Sequence, residues 1–286
     1  MVDQDIIKTV WEGKLPICFN LSEQDTYSFE KLTPVYMLVP RVSYLPLFSE
    51  KLLQHFKRLI NQQEEFKMWF SYNKIPLKSH YPIGLLYDMC TTNHQSLPWS
   101  ITVHFSNFPS DKLIDMSKNE NLESHFIYTV KEADYLKSRG LLIQAFQQKE
   151  MESLWNGLKT DNFEQFWSVN KKLMDYEKII HEANKAVGES QSNQNGFKCI
   201  PCRTYSLERP GFIQKLIKSI HDNGDPYTLS DLISILDLPM QNVTSYKFII
   251  HGIDVPDNSS LQWLSENFSY PDNFLHIFVS SVIEAQ

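Results

Sequence analysis

The sequence is poor in the features that mark several large classes of enzyme and membrane protein. Its 286 residues include only nine glycines, and no glycine-rich loop of the kind that binds phosphate or a dinucleotide is visible. No apolar run approaches the roughly 20 residues that a membrane-spanning helix requires. These absences argue against P-loop enzymes, dinucleotide-dependent enzymes and integral membrane proteins.

Cysteine is also scarce, with four residues at positions 18, 90, 199 and 202. Secreted proteins that depend on disulfides are usually short and rich in cysteine. The N-terminus has acids and a tryptophan where a secretory signal would be basic and then apolar. We therefore expect a cytoplasmic protein with reduced thiols.

Cys199 and Cys202 form the one close pair of cysteines, but a zinc ribbon needs a second pair. On a regular strand, residues three apart point to opposite faces, which weakens both a metal site and a redox pair. The nine histidines are scattered without metal-ligand spacing. We expect buried structural cysteines and neither a metal nor another cofactor.

The net charge of the chain is −7. A mainly electrostatic grip on nucleic acid or acidic lipid needs a surplus of lysine and arginine. Nucleic acid is therefore not an expected partner.

The two ends of the chain carry the same order of predicted elements: strand, strand, helix, strand, short helix, strand. After an amphipathic helix at 3–11, the first set has strands at 15–21, 34–44, 67–72 and 99–105, with helices at 47–66 and 83–89. The second set has strands at 197–206, 212–220, 246–253 and 273–281, with helices at 228–238 and 261–267. In each set a proline, Pro98 or Pro271, separates the short helix from the last strand.

A small mixed sheet around one helix in this order is typical of the β-grasp, or ubiquitin-like, fold. Two unrelated α+β domains are the alternative, since many such modules share the order. The residues between the two sets have the period of helices, with bulky residues at spacings of three and four. The stretch 183–196 carries almost no large apolar residue and predicts a flexible linker.

The predicted fold is therefore α+β, with two ubiquitin-like β-grasp domains flanking a helix-rich domain and a short N-terminal helix. The expected boundaries are an N-terminal helix at 1–12, a first ubiquitin-like domain at 13–107 and a helix-rich domain at 108–182. The linker at 183–196 and a second ubiquitin-like domain at 197–286 complete the chain.

Lys131 lies in a segment whose apolar residues form one helical stripe, namely Leu122, Phe126, Val130, Ala133 and Leu136. At about 100° per residue, Lys131 is roughly 150° from the middle of that stripe, so we expect it to be exposed. Its neighbours at i−3, i+3 and i+4 are Tyr128, Asp134 and Tyr135. A lysine among aromatics and an acid suits a docking surface, although most exposed lysines are only solvated.

Six stretches, at 38–45, 80–89, 97–105, 130–137, 154–174 and 261–277, together resemble the autophagy protein 5 family. They include LVPRVSYL, HYPIGLLYDM, VKEADYLK and LQWLSENFSYPDNFLHI, and they are spread over nearly the whole chain. The resemblance implies two ubiquitin-like domains and a helix-rich domain. Two departures are the length of the polar stretch 183–196 and Gly211, which interrupts an otherwise familiar ERP-FIQKL string.

The resemblance also implies a role for Lys131. This lysine is expected to accept an isopeptide bond from the C-terminal glycine of the ubiquitin-like autophagy protein 12. Autophagy protein 7, the activating enzyme, and autophagy protein 10, the conjugating enzyme, would deliver the modifier as a thioester. The chain would then be a substrate without a catalytic site, and Tyr128, Asp134 and Tyr135 would help to orient the conjugation surface.

In that family the conjugate binds the coiled-coil autophagy protein 16 and acts like a ubiquitin ligase. It promotes transfer of autophagy protein 8 class proteins from autophagy protein 3 to phosphatidylethanolamine, which implies a peripheral position on pre-autophagosomal membranes. The expected groove for autophagy protein 16 lies between the domains, near Trp11, Arg41 and Tyr44. Trp11 and Tyr44 are equally suited to a core, whereas a buried Arg41 needs a partner.

Two other functions remain open from the sequence. One is an enzyme with a cryptic cysteine site, and the other is a ubiquitin-like adaptor that works without conjugation. No cysteine or histidine motif favours the first, and the second differs from the conjugated scaffold only in the fate of Lys131.

Overall fold

The structure is a computed structural model that describes residues 2–27, 33–60, 67–91, 97–174, 197–207, 209–236 and 245–282. The chain divides into two compact units, one of residues 11–125 and the other of residues 1–10 with 126–286. The predicted linker at 183–196 lies outside the described residues.

The described helices and strands of the N-terminal part of the chain follow in this order. They are α1 (Gln4–Trp11), β1 (Lys14–Leu21), β2 (Val35–Pro40), α2 (Ser49–Phe56), β3 (Trp69–Tyr72), β4 (Ile75–Pro76), α3 (Ile83–Cys90) and β5 (Trp99–His104). The strand order is β2-β1-β5-β3-β4. The last strand is parallel to the first, and the other neighbours are antiparallel.

Strand alternation explains why this sheet closes over a core. Ile17, Phe19 and Leu21 alternate along β1 and are buried, as the two-residue period of a strand requires. On α2, Leu52 and Phe56 lie four residues apart and are also buried, so one face of this helix belongs to the core.

In the described residues between the two sheets, the α-helices are α4 (Asn119–Ser138), α5 (Gln148–Lys159) and α6 (Phe163–Asn170). A 3₁₀ turn, Lys171–Leu173, follows α6, and the rest of the predicted helix-rich domain beyond residue 174 lies outside the described residues. Within the parts of the chain that the structure describes, no helix is both long and apolar enough to cross a membrane.

The second sheet is built from β6 (Cys202–Ser206), β7 (Arg209–Ile213), α7 (Leu229–Ile235), β8 (Ser245–Ile250), β9 (Ile253–Val255), α8 (Leu261–Asn267) and β10 (Leu275–Val282). Its strand order, β7-β6-β10-β8-β9, repeats that of the first sheet position by position. The parallel pair, β6 with β10, is again formed by the first and last strands. Two β-grasp domains are thus confirmed, and the alternative of two unrelated α+β domains is wrong.

The short strands β4 and β9 are missing from the sequence-based expectation. Each is joined to the preceding strand by two residues of positive φ, Asn73 and Lys74 in the first sheet and His251 and Gly252 in the second. Type I′ hairpin turns have this conformation. Strands of two or three residues are too short to show an alternating pattern, so periodicity could not reveal them.

The predicted strand at 212–220 is also shorter and displaced. Strand β7 ends at Ile213, and the chain then makes only isolated bridges at Ile217 and Ile220. Gly211, with φ of 87°, lies within β7, where the pairing with β6 shifts register between Thr204 and Ser206. The extra glycine thus coincides with a bulge in an edge strand, where bulges are common.

Helices α5 and α6 approach each other closely at Gly157. A methyl group there would lie 2.7 Å from Phe166 N and 2.9 Å from Phe166 Cα. Alanine favours a helix over glycine by about 1 kcal/mol, but overpacking against a backbone costs ~1–3 kcal/mol. We expect Gly157→Ala to lower the free energy of unfolding, as measured by urea denaturation.

The control is Asn156→Ala, the neighbouring exposed position on α5. It should change the free energy of unfolding by less than about 0.5 kcal/mol. If Gly157→Ala were stabilising, the close approach would not limit the packing of these helices.

Candidate functional site

Helix α4 presents Lys131 to solvent. Four of the five residues in the predicted stripe, Leu122, Phe126, Val130 and Ala133, are buried, and Leu136 is half-buried. Lys131 is exposed, and its side chain makes no hydrogen bond or ion pair with any residue that the structure describes. The predicted exposure of this lysine is confirmed.

Two tyrosines flank Lys131 on the outer surface of the helix. Tyr128 and Tyr135 lie one turn before and after it, and they are 67% and 65% exposed. Lys131, Tyr128 and Tyr135 therefore form the exposed part of the predicted conjugation surface.

Asp134 does not belong to that surface, and its predicted outward position is wrong. It is 1% exposed, and its carboxylate accepts hydrogen bonds from Ser138 Oγ at 2.7 Å and Ile143 N at 3.0 Å. At about 100° per residue, Asp134, three residues after Lys131, lies about 60° back around the helix, towards the buried side. Tyr135, four residues after Lys131, stays on the exposed side. Asp134 thus stabilises the turn after α4.

Lys137 lies on the buried side of α4, a position that the sequence pattern did not predict. It is 1% exposed, and its Nζ donates a hydrogen bond to Asn273 Oδ1 at 2.9 Å. Nζ also lies 3.2 Å from Met174 Sδ and 4.9 Å from the centre of the Phe197 ring. Asn273 donates in turn to Asn170 Oδ1 at 2.6 Å. The residues next to Lys137 in the sequence do not predict this buried network, because its other members lie far away in the chain.

Burial strongly favours the neutral form of Lys137. It lowers the pKa of this lysine to about 7, against the opposing effect of the negative charges of Asp134, Asp272 and Glu266. The position therefore titrates near neutral pH, unlike an ordinary lysine, whose pKa is near 10.5.

Glu132, the residue after Lys131, is held by the side chains of Arg203, which lies in β6, and Gln214, which follows β7. Its Oε2 accepts a hydrogen bond from Arg203 Nη2 at 2.9 Å, and its Oε1 accepts one from Gln214 Nε2 at 2.8 Å. Arg203 Nε also donates to Gln214 Oε1 at 2.9 Å. These three side chains form a closed triangle beside Lys131.

The three predicted partner-binding residues, Trp11, Arg41 and Tyr44, are all buried. Arg41 has the partner that a buried charge requires, because its Nη2 lies 2.6 and 2.7 Å from the carboxylate oxygens of Asp88. It also donates to the Gly84 carbonyl at 3.3 Å. The core interpretation fits Trp11 and Tyr44, and a role of these residues in partner binding stays a prediction.

The cysteines give little support to a cysteine-dependent enzyme. Burial raises the pKa of Cys90 to about 11 and that of Cys202 to about 12. The nucleophile is the thiolate, which is a minor species at neutral pH for such groups. Among the described residues, no group of three His, Cys, Asp or Glu side chains could hold a metal ion.

The lowered pKa of Lys137 predicts a pH-dependent stability. Between about pH 7 and 10.5 the unfolded chain holds a proton that the folded chain lacks, so stability rises with pH by at most about 1.4 kcal/mol per unit. Below pH 7 both states are protonated and this contribution is constant. We expect the difference in unfolding free energy between wild type and Lys137→Met to rise from pH 7 to 9.5.

Urea denaturation at several pH values measures this difference. The control is Lys159→Met, which alters an exposed lysine of α5 and should give a difference that is flat over the same range. A flat difference for Lys137→Met would show that this lysine keeps its ordinary titration in the folded chain.

The Arg41–Asp88 pair predicts that loss of the acid destabilises the first unit. Asp88→Asn would leave a buried guanidinium without a counter-charge, which costs about 3–5 kcal/mol. We expect faster amide hydrogen exchange in residues 11–125, with little change in residues 126–286. Equal exchange in wild type and variant would mean that the pair does not stabilise this unit.

Comparison with known proteins places the chain. Three family profiles match it: "Autophagy protein ATG5, UblA domain" at residues 10–105, "Autophagy protein ATG5, alpha-helical bundle region" at 119–176 and "Autophagy protein ATG5, UblB domain" at 199–279. Autophagy protein 5 of Drosophila melanogaster is 40% identical over 97% of each chain. Autophagy-related protein 5 of Caenorhabditis elegans is 31% identical over 99% of this chain and 100% of its own.

A solved structure supports the same assignment at the level of fold. The crystal structure of Kluyveromyces marxianus Atg5 aligns with a TM-score of 0.78 and 18% identity, covering 97% of this chain and 100% of that one. Together with the identity to the animal relatives, this agreement shows that the chain belongs to the autophagy protein 5 family, which supports a role in autophagy.

Proposed function

We propose that this chain is an autophagy scaffold whose Lys131 accepts an isopeptide bond from the C-terminal glycine of the ubiquitin-like autophagy protein 12. The observation that carries the proposal is the exposure of Lys131 between two exposed tyrosines, in a segment where the other charged side chains have partners. Membership of the autophagy protein 5 family supplies the class of reaction.

The transfer requires a reachable amine more than a catalytic site on this chain. The Lys131 amine loses a proton and attacks the thioester carbonyl carbon, and the cysteine thiolate of the conjugating enzyme leaves as the amide forms. Autophagy protein 7 activates the modifier and autophagy protein 10 transfers it. Tyr128 and Tyr135 offer apolar contacts on either side of the amine, and aromatic residues are enriched at protein interfaces.

The conjugate binds autophagy protein 16 and acts like a ubiquitin ligase. It promotes transfer of autophagy protein 8 class proteins from autophagy protein 3 to phosphatidylethanolamine during autophagosome formation. This function places the chain in the cytoplasm and, within its complex, at the surface of pre-autophagosomal membranes. Trp11, Arg41 and Tyr44 lie near the groove for autophagy protein 16 in this proposal, and the ubiquitin-like domains of the family fit a non-catalytic role.

The conjugation site is tested by Lys131→Arg, which keeps the positive charge and removes the nucleophilic amine. We expect the heavy covalent species to disappear from a denaturing gel when the variant is incubated with the modifier, both enzymes and ATP. Lys159→Arg, at another exposed lysine of the same unit, should give the same amount of conjugate as wild type.

A heavy species that persists in Lys131→Arg would show that another group is the acceptor. Full autophagic activity of that variant without any conjugate would instead favour the adaptor that works without conjugation.

A further inference from the structure

In the triangle of Glu132, Arg203 and Gln214, each side chain forms a hydrogen bond with each of the other two. Two hydrogen bonds end on Glu132, one on each carboxylate oxygen, and the third joins Arg203 to Gln214. Hydrogen bonds between a guanidinium and a carboxylate are short and directional because both groups are charged and planar. The position of Glu132 relative to the second sheet is therefore closely defined.

The surroundings of Arg203 hold its side chain in one place. The residue is 8% exposed, and its guanidinium carbon lies 3.8 Å from the centre of the Phe274 ring and 4.6 Å from that of Phe212. Burial raises the pKa of Asp272, but the charges of His276 and Arg203 outweigh this effect and hold that pKa below its ordinary value. Arg203 is thus a rigid cation between two aromatic rings and two acids.

Glu132 and Lys131 are consecutive residues, and their side chains leave α4 about 100° apart. Since the Lys131 side chain makes no hydrogen bond or ion pair with a described residue, the direction in which it leaves the helix is set by the rotation of α4 about its axis. The contact of Glu132 with Arg203 opposes that rotation at the turn that carries Lys131. Tyr128 and Tyr135, at i−4 and i+3 from Glu132, move with the same turn.

We propose that Arg203, Glu132 and Gln214 are positioning residues for the acceptor lysine: they fix the rotation of α4 so that the Lys131 amine meets the thioester in a productive orientation. The inference rests on the proposed function of Lys131 and goes beyond it by assigning a role to side chains of the second ubiquitin-like domain. Misplacement of a reacting group by about 1 Å can cost on the order of 100-fold in rate.

The test measures single-turnover transfer from a preformed thioester of the conjugating enzyme and the modifier to the full chain, at several concentrations of the chain. Arg203→Met removes the two hydrogen bonds that Arg203 donates but keeps a long apolar side chain between the two rings. We expect the maximal rate to fall by about tenfold or more, while the half-saturating concentration stays within about twofold. Arg203→Lys, which keeps the charge with a single donor group, should fall between wild type and Arg203→Met.

Two controls separate positioning from general damage. Acylation of Lys131 by a small N-hydroxysuccinimide ester, quantified by peptide mass spectrometry, should be equal in wild type and variants, because a small reagent needs exposure but no orientation. Lys172→Met breaks an ion pair of 2.6 Å between Lys172 and Glu150 elsewhere in the unit, and it should leave the transfer rate unchanged.

The milder variant Gln214→Met decides the question if Arg203→Met does not fold. It removes two of the three hydrogen bonds at a half-buried position, and we expect a smaller loss of maximal rate. Transfer at the wild-type rate by every folded variant, or a parallel loss of acylation by the small ester, would overturn the positioning role. If wild type itself is modified elsewhere or not at all, the proposed function of Lys131 fails first.

Discussion

The buried amine of Lys137 is the contact on which the geometry of helix α4 depends. A cation without access to water costs on the order of several kcal/mol unless polar groups compensate it. Here Asn273 accepts its hydrogen bond, while the Met174 sulfur and the Phe197 ring lie against it. Met174 and Phe197 precede the second sheet in the sequence and Asn273 precedes its last strand, so one side chain ties the helix to a residue 136 positions away. This contact holds α4 at the turn of Lys137, and the contact of Glu132 with Arg203 holds it at the turn that carries Lys131.

Contacts within the fold also explain why Lys131 is the exposed charge among residues 130–137. Glu132 is bound to Arg203, and Asp134 receives hydrogen bonds from the turn that follows α4. Lys137 is buried as well. The charged side chains near Lys131 are therefore hydrogen-bonded within the protein, whereas Lys131 is exposed to solvent. In the proposed function this arrangement matters, because the anchored neighbours hold the helix while the Lys131 side chain stays exposed.

Much of the fold could be predicted because it depends on local patterns. Alternation and helical spacing identified the repeated order of elements, and the repeat identified two β-grasp sheets. The patterns failed where the elements are short, as in β4 and β9, or where a bulge interrupts the pairing, as at Gly211. They also failed at Asp134, which was expected on the outer face with Lys131, and they gave no indication that Lys137 is buried. Helical geometry turns both positions towards the interior, and their cost of burial is offset by partners that no local pattern contains.

The sequence by itself determined the exposure of Lys131, because an apolar stripe on one side of a helix defines the opposite side. It also determined the need of Arg41 for a partner, because burial of a charge is costly wherever it occurs. Only the tertiary structure decided that Asp88 is that partner, that Lys137 lies in the core, and that Glu132 meets Arg203 and Gln214. The reason is physical: each of these pairs joins residues far apart in the chain, and their distances exist only after the sheets and helices have packed.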